Sequence, residues 1–266
     1  MVDEAKPRTS GANGRLWGTR AADWAELQEG TARPAYVAAL DKLRVASGTR
    51  YLDIGCGAGM AAQIAAGRGA RVAGLDAAEA LVAIAKTRVP GGDFRLGDLE
   101  ALPFGDGEFD AVTGFNSFQY AGNPGVALRE ARRVTRPGGM LVIMTWGNPE
   151  GMEAASLVTA LRALMPPPPP SAPGPFALSV ESALRAFAAE AGLTPVEVYD
   201  VDSPFLYRDL ATGIRALNSS GVAARAMENS SEQAVSDAHA QALAPFRQSD
   251  GSYRVRGSFR CLLARP

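Results

Sequence analysis

An apolar segment that ends in a glycine-rich turn and runs straight into an alanine-rich helix is the feature that most constrains this fold. Leu52-Asp53-Ile54 has the composition of a buried strand, and Gly55-Cys56-Gly57-Ala58-Gly59 follows it without a gap. The helix predicted over Met60–Arg68 starts at the next residue and is closed by Gly67 and Gly69. A strand, a tight turn and a helix in this order form the first part of a βαβ unit, which predicts a parallel sheet.

Further strands and helices alternate between residues 45 and 150. The predicted strands are Arg50–Ile54, Arg71–Leu75, Phe94–Leu96, Phe109–Thr113 and Met140–Trp146. The predicted helices between them are Met60–Arg68, Glu79–Arg88 and Pro124–Val134. This alternation indicates an α/β domain with helices on both faces of its sheet.

The flanking regions follow a different pattern. We expect residues 1–15 to be loose, and we expect two short helices between Ala21 and Leu43 with a break at Pro34. The elements predicted downstream are helices at 150–165, Val180–Ala191 and 208–244, a stiff proline-rich connection at 166–175, and strands at Val196–Val201 and Tyr253–Leu263. We divide the chain into N-terminal helices (1–44), a core (45–150) and a C-terminal part (151–266) that includes a helical insertion at about 204–246.

The composition excludes several classes of function. Hydrophobic residues make up 47% of the chain, and 27 basic residues balance 28 acidic ones. Such a balance provides no extended field for nucleic acid or an anionic membrane, so we expect neither as a partner. The two cysteines, Cys56 and Cys261, are too few for a disulfide framework or a zinc site, and we expect no metal. The acid-bearing start does not resemble a signal peptide, and no apolar run approaches the roughly 20 residues of a membrane span. A soluble, cytoplasmic protein is therefore expected.

Four groups of residues fall where predicted strands end. The first is the glycine turn, which lets a ligand approach the backbone and presents a helix N-terminus to a negative group. Asp76 ends the next strand, where a carboxylate can accept hydrogen bonds from both hydroxyls of a ribose. Asp98-Leu99 and Phe115-Asn116 follow the next two strands. Because open α/β sheets bind ligands at the carboxyl ends of their strands, the four groups predict a nucleoside site.

The same residues resemble a known family. LDIGCGAG (52–59), Asp76, GDLEALPFGDGEFDAV (97–112) and RRVTRPGGMLVI (132–143) together resemble the class I S-adenosylmethionine-dependent methyltransferases. The resemblance covers about residues 45–150 and favours the branch of ubiquinone- and menaquinone-biosynthesis enzymes and small-molecule methyltransferases of secondary metabolism. It implies a Rossmann-like seven-stranded sheet whose last strand, Tyr253–Leu263, is antiparallel. It also implies methyl transfer from S-adenosylmethionine to an O, N or C atom of a small molecule.

The resemblance implies a role for each matched position. Asp76 is expected to bind the ribose and Asp98 the adenine amine, while Leu99 covers the adenine face. Phe115 and Asn116 are expected to flank the methionine end, and the N-terminal helices are expected to cover the cofactor. The residues expected at the cofactor site are Trp24, Asp53, Gly55, Cys56, Gly57, Gly59, Asp76, Ala77, Asp98, Leu99, Phe115 and Asn116.

Some of these positions have a second interpretation. Leu99 and Phe115 also fit plain core residues. Cys56 fits a small loop residue better than a nucleophile, because no cation stands beside it in the sequence. Trp24, like Arg20, either touches the methionine end of the cofactor or anchors the N-terminal helices.

The regions outside the core remain to enclose the methyl acceptor. The insertion carries many apolar residues and few clustered charges, which favours a small, largely apolar acceptor. Substitutions at Tyr207 or His239 are expected to change acceptor turnover. His239 is the only histidine in the chain, and it is either a general base toward an alcohol or phenol or an ordinary core or surface histidine.

Two other functions fit parts of the pattern. An NAD(P)-dependent oxidoreductase shares the scaffold, but its G-x-G-x-x-G turn needs glycine where Met60 stands. A non-methylating protein that binds S-adenosylmethionine, such as a cyclase, would carry the same glycine turn.

Overall fold

The computed structural model describes residues 8–167 and 174–266. The N-terminal helices are α1 (Ser10–Gly18), α2 (Ala21–Asp23) and α3 (Arg33–Lys42). The core contains β1 (Arg50–Ile54), α4 (Met60–Gly67), β2 (Arg71–Asp76), α5 (Glu79–Arg88), β3 (Asp93–Leu96), β4 (Phe109–Phe115), α6 (Pro124–Val134) and β5 (Thr135–Trp146). The C-terminal part contains α7 (Ala154–Thr159), α8 (Glu181–Glu190), β6 (Thr194–Asp202), β7 (Phe205–Tyr207), α9 (Leu210–Asn218), α10 (Gly221–Asn229), α11 (Glu232–Leu243), β8 (Tyr253–Val255) and β9 (Ser258–Arg265).

Seven strands form one sheet in the order β3-β2-β1-β4-β5-β9-β6. The pairs from β3 to β5 are parallel, whereas β9 runs antiparallel to both of its neighbours. The predicted α/β fold with an antiparallel last strand is therefore confirmed. The strand order changes direction between β1 and β4, and the carboxyl ends at such a switch point form a natural ligand-binding crevice.

The sheet is buried on both faces, which explains the nearly continuous apolar runs of its strands. On one face Leu52 and Ile54 of β1 belong to a core that includes Leu128 of α6. On the other face Tyr51 of β1 belongs to a core that includes Ala61 of α4. Because both faces of β1 are filled, the turn that follows it is held on a rigid support.

The N-terminal region is more ordered than predicted. Helix α1 lies where a loose segment was expected, although its three glycines lower its intrinsic helix propensity. The break between the later helices falls at Glu29–Ala32, a 3₁₀ turn, rather than at Pro34. Pro34 lies in the first turn of α3, where proline is tolerated because the N–H it lacks has no intrahelical partner.

The predicted strand Tyr253–Leu263 is divided in two. Its first part, β8, pairs with the unpredicted β7 in a separate two-stranded ribbon, and only β9 joins the main sheet. Residues 150–165 form a shorter helix than expected, α7, followed by a 3₁₀ turn at Arg162–Leu164. Residues 168–173 of the predicted proline-rich connection, and residues 1–7 of the segment expected to be loose, lie outside the described residues. Among the helices of residues 8–167 and 174–266, none has the length and apolar character needed to cross a membrane.

The ribbon attaches the insertion to the N-terminal helices. Tyr207 in β7 is 2% exposed, and its hydroxyl donates a hydrogen bond of 2.9 Å to Oε1 of Gln28, which is itself buried. The hydroxyl of Ser203, just before β7, donates to the carbonyl of Thr31 at 2.5 Å. These contacts join segments that lie far apart in the sequence.

Replacement of Tyr207 by Phe should destabilise the protein by about 1–3 kcal/mol, because it leaves the buried Gln28 oxygen without its donor. Chemical denaturation measures this change. Leu206→Ala is the matched control, since Leu206 lies in the same strand but is 59% exposed. An equal loss of stability in both variants would contradict the assigned role of the hydrogen bond.

Candidate functional site

A cavity of about 780 Å³ opens at the carboxyl ends of the strands around the switch point. The N-terminal helices, the glycine turn and the helices of the insertion all contribute to its wall. The predicted residues that line it are Trp24, Gly55, Gly57, Asp76, Ala77, Asp98, Leu99, Phe115, Asn116 and His239. The fold therefore brings ten of the thirteen predicted site residues to one place.

Three predicted site residues do not line the cavity. Asp53 lies beneath the turn, where its Oδ1 accepts a hydrogen bond of 2.9 Å from the hydroxyl of Thr113. Burial raises the pKa of Asp53 to about 7. Cys56 is buried behind the turn, and a Cβ on Gly59 would stand 2.8 Å from Cβ of Ala85. Cys56 and Gly59, both predicted at the cofactor site, sit where the turn packs against the core and do not line the cavity.

The glycine turn needs a backbone that other residues rarely adopt. Gly55, Gly57 and Gly59 have φ of 74°, 53° and 86°. A Cβ on Gly57 would point toward the side chains of Trp24 and Glu29, at 3.6 Å from Nε1 and 3.5 Å from Oε1. The space in front of Gly57 is therefore narrow and partly polar.

Asp76 is fixed by two backbone donors. The N–H of Gly57 reaches Oδ2 at 2.9 Å, and the N–H of Ala78 reaches Oδ1 at 2.9 Å. Burial raises the pKa of Asp76, and these hydrogen bonds partly offset that effect. Each carboxylate oxygen has two lone pairs, so the carboxylate can still accept hydrogen bonds from a ligand in the cavity.

Helix α1 closes the cavity above Asp98. The hydroxyl of Ser10 donates to Oδ2 of Asp98 at 3.0 Å. Thr9 and Asn13 both donate to the carbonyl of Tyr120, at 2.6 and 2.7 Å. A weakly helical segment is thus held in place by its contacts with the site, which is why its sequence alone did not indicate a helix.

Glu29 is a site residue that the sequence did not reveal. Its carboxylate is 3% exposed, lines the cavity, accepts a hydrogen bond of 3.2 Å from the N–H of Met60 and forms an ion pair with Arg88. Arg88 also donates to the carbonyls of Ala25 and Ala58, at 2.6 and 3.0 Å. Burial raises the pKa of Glu29 while Arg88 acts to lower it. A charged residue in a helix normally indicates a solvated face, so only the tertiary pairing identifies this one.

The end of β4 presents two polar residues to the cavity. Asn116 has φ of 50°, a strained conformation that clusters at functional sites, and its Oδ1 accepts a hydrogen bond of 3.0 Å from Gln119. Ser117 is 8% exposed, and its hydroxyl has no hydrogen-bond partner among the described residues. An unpaired buried hydroxyl beside the glycine turn fits a site that receives a polar ligand group.

Trp24, Phe115 and Leu99 each fit both interpretations, because each lines the cavity and also packs against other apolar residues. Trp24 lines the cavity and also packs edge-to-face on Trp17 at 4.9 Å. Phe115 lines the cavity while its ring lies 4.6 Å from that of Tyr36. Leu99 likewise lines the cavity and packs on the core.

The part of the cavity beyond Asn116 is mainly aromatic and aliphatic. Trp146 stacks on Phe259 at 5.1 Å and lies 6.3 Å from Phe205. Besides Gln28 and Thr31 of the N-terminal region, the polar lining residues of this part are Thr159, Arg162, Ser220 and His239. Tyr207, where a substitution is expected to change acceptor turnover, is not among the lining residues; its hydroxyl donates a hydrogen bond to Gln28.

The fold and the site define the protein's class. The architecture is Rossmann-like: one strand of the seven-stranded sheet is antiparallel, a glycine turn follows β1, and acidic residues stand at the carboxyl ends of β2 and β3. Residues 52–143 match the methyltransferase domain family. The family match and the fold together indicate a class I S-adenosylmethionine-dependent methyltransferase domain in this part of the chain, as predicted.

Individual relatives are similar in sequence to part of this chain. Demethylmenaquinone methyltransferase of Renibacterium salmoninarum is 38% identical over 110 residues, which cover 41% of this chain and 46% of that protein. Ubiquinone biosynthesis O-methyltransferase of Pseudomonas aeruginosa is 30% identical over 149 residues, 54% of this chain and 63% of that protein. The chain thus matches between about a third and two thirds of the length of its curated relatives. The (4+2)-cyclase SpnF has a similar fold, with a TM-score of 0.55, 24% identity and coverage of 87% of this chain and 80% of its own.

Closure by α1 depends on one glycine. A Cβ on Gly14 would overlap the carbonyl oxygen of Ala77, next to Asp76, whereas a Cβ on Gly11 would meet nothing within 4 Å. We predict that Gly14→Ala displaces α1, lowers stability by about 1–3 kcal/mol and weakens S-adenosylmethionine binding about tenfold. Calorimetry and thermal unfolding measure both effects.

Gly11→Ala is the matched control for Gly14→Ala. Alanine has the higher helix propensity, so this variant should be neutral or slightly stabilising and should bind the cofactor normally. The account of α1 would be contradicted if Gly14→Ala behaved like Gly11→Ala.

Proposed function

We propose that this protein transfers the methyl group of S-adenosylmethionine to an O, N or C atom of a small, largely apolar metabolite. The observation that carries the proposal is the single cavity that runs from the glycine turn, Asp76 and Asp98 to an aromatic compartment beneath the insertion. One end has the polar groups that a nucleoside needs, and the other has the apolar wall of a metabolite pocket.

The residues of the first end fit the cofactor. Asp76 would accept hydrogen bonds from the ribose, Asp98 would face the adenine amine and Leu99 the adenine ring. Gly57 leaves room for the ligand beside the backbone, and the orphaned hydroxyl of Ser117 offers a hydrogen bond at the methionine end. When bound, S-adenosylmethionine supplies a methyl group that its own sulfonium charge has already activated. The protein then mainly aligns the acceptor and excludes water.

The acidic groups near the turn suit a cationic ligand. Glu29 lines the cavity, and Asp53 lies just beneath the turn. Burial raises the pKa of Tyr36, whose ring also lines the cavity, and the nearby carboxylates of Glu29 and Asp53 raise it further. A sulfonium and an α-ammonium group would therefore lie near these carboxyl groups, although Arg88 already balances the charge of Glu29.

The second end indicates the class of acceptor. Trp146, Phe205 and Phe259 give it flat aromatic walls, and its polar side chains are few and separated. Arg162 has no ion-pair partner among residues 8–167 and 174–266. These features favour a compact apolar molecule with one or two polar groups over a nucleic acid or a protein tail. We place the protein in the cytoplasm and in bacterial secondary metabolism as part of the same proposal.

Two alternatives are tested by the same measurements. Because the fold is similar to that of the cyclase SpnF, the first alternative is a cyclase that binds S-adenosylmethionine but does not consume it. An oxidoreductase would bind NADH instead. Calorimetry with S-adenosylmethionine and NADH separates the oxidoreductase, and a metabolite screen with labelled S-adenosylmethionine separates the cyclase. Formation of S-adenosylhomocysteine only with an acceptor, together with a product heavier by one methyl group, is the expected result.

Gly57→Val should abolish S-adenosylmethionine binding, because a β-branched side chain would fill the space between the turn and Trp24. Gly48→Val is the matched control: Gly48 has φ of 81°, so it carries comparable backbone strain, but a Cβ there meets nothing within 4 Å. Calorimetry should show loss of binding in Gly57→Val alone. A folded Gly57→Val protein with normal affinity would remove the glycine turn from the cofactor site.

A further inference from the structure

At the proposed acceptor end of the cavity, a series of hydrogen bonds between side chains holds a histidine. His239, on α11, is 3% exposed and lines the cavity. Its Nδ1 lies 2.7 Å from Oδ1 of Asn218, on α9. The amide nitrogen of Asn218 in turn donates to the hydroxyl of Ser236 at 2.9 Å. The ring is thus held by two neighbouring helices of the insertion.

These contacts define the protonation of the ring. An amide oxygen can only accept, so Nδ1 carries the proton that bonds to Asn218. Burial lowers the pKa of His239 to about 4, which keeps the imidazole neutral. Nε2 then presents a lone pair, and Nδ1 is the ring nitrogen that the hydrogen bond within the described residues occupies.

We infer that Nε2 of His239 accepts the proton of an acceptor hydroxyl, so that the enzyme methylates oxygen on an alcohol or phenol. The inference rests on the proposed function and narrows its acceptor class. A lone pair in an apolar compartment is satisfied only by a donor, and a hydroxyl is a donor that fits there. An aliphatic amine is a poor alternative, because it would be cationic and the only charged side chain in this end of the described cavity, Arg162, is also cationic.

The proton and electron balance is complete with these groups. The acceptor oxygen bonds to the methyl carbon as the sulfur–methyl bond breaks, and that bond's electron pair stays on sulfur. The hydroxyl proton passes to Nε2, which gives an imidazolium that later releases the proton to water. One positive charge leaves sulfur and one appears on the ring, so the net charge of the cavity does not change. Asn218 is a positioning residue, since it holds Nδ1 and touches no reacting atom.

The single histidine allows a direct test by nitrogen NMR. Protein containing labelled histidine gives one pair of ring signals, which can only be His239. At pH 7 we expect the neutral tautomer with the proton on Nδ1. Phenol should move the Nε2 signal to lower frequency, as hydrogen bonding to a lone pair does, whereas anisole, which has no hydroxyl proton, should not. The Nε2–H tautomer, failure of phenol to bind, or binding without this shift would overturn the inference.

Kinetics provide a second readout once the metabolite screen has identified an acceptor. His239→Phe should lower kcat about 100-fold or more with unchanged affinity for S-adenosylmethionine, and Asn218→Leu should raise the fraction of the wrong tautomer in the NMR spectrum. A methyl group on carbon in the product, or full kcat in His239→Phe, would overturn the inference. Titration of the same samples with S-adenosylhomocysteine distinguishes a failure of the inference about His239 from a failure of the proposed function. A protein that does not bind S-adenosylhomocysteine would contradict the proposed function.

Discussion

The ion pair between Glu29 and Arg88 is the interaction on which the site depends. Glu29 belongs to the N-terminal helices and Arg88 to the last turn of α5, yet the two side chains meet beside the glycine turn. Glu29 also accepts a hydrogen bond from the first N–H of α4, and Arg88 donates to the carbonyl of Ala58 in the turn and to that of Ala25 in the N-terminal region. A buried pair is tolerable only when such additional hydrogen bonds satisfy it. The ion pair therefore fixes the distance between the glycine turn and the N-terminal helices that face the turn.

A shared wall couples the two ends of the cavity. Helix α1 contacts Asp98 and Tyr120 at the proposed cofactor end. At its other side, Arg15 pairs with Glu228 of α10, and Trp17 packs so closely on Gly221 that a Cβ there would lie 2.6 Å from the indole. Movement of α1 would consequently open both ends together. A reaction that joins two substrates and must exclude water gains from a wall of this kind.

The core could be predicted from the sequence because local pattern and tertiary structure agree there. The predictions of Glu79–Arg88 and Pro124–Val134 coincide with α5 and α6, since terminal prolines and caps mark their ends. Features that depend on distant partners could not be predicted. Helix α1 contains three glycines, β7 has three residues, and Glu29 and Asn218 acquire their roles only through Arg88 and His239. Ser117 is the exception, because its position directly after Phe115-Asn116 in the sequence already indicates a residue of the site.

A crystal structure with S-adenosylhomocysteine tests the central claim most directly, namely that one cavity holds the cofactor at the glycine turn and the acceptor beneath the insertion. The account predicts the ribose hydroxyls on Asp76, the adenine beside Asp98 and Leu99, and the sulfur directed toward the aromatic compartment that contains His239. Binding at another surface, or a sulfur that points away from this compartment, would contradict it.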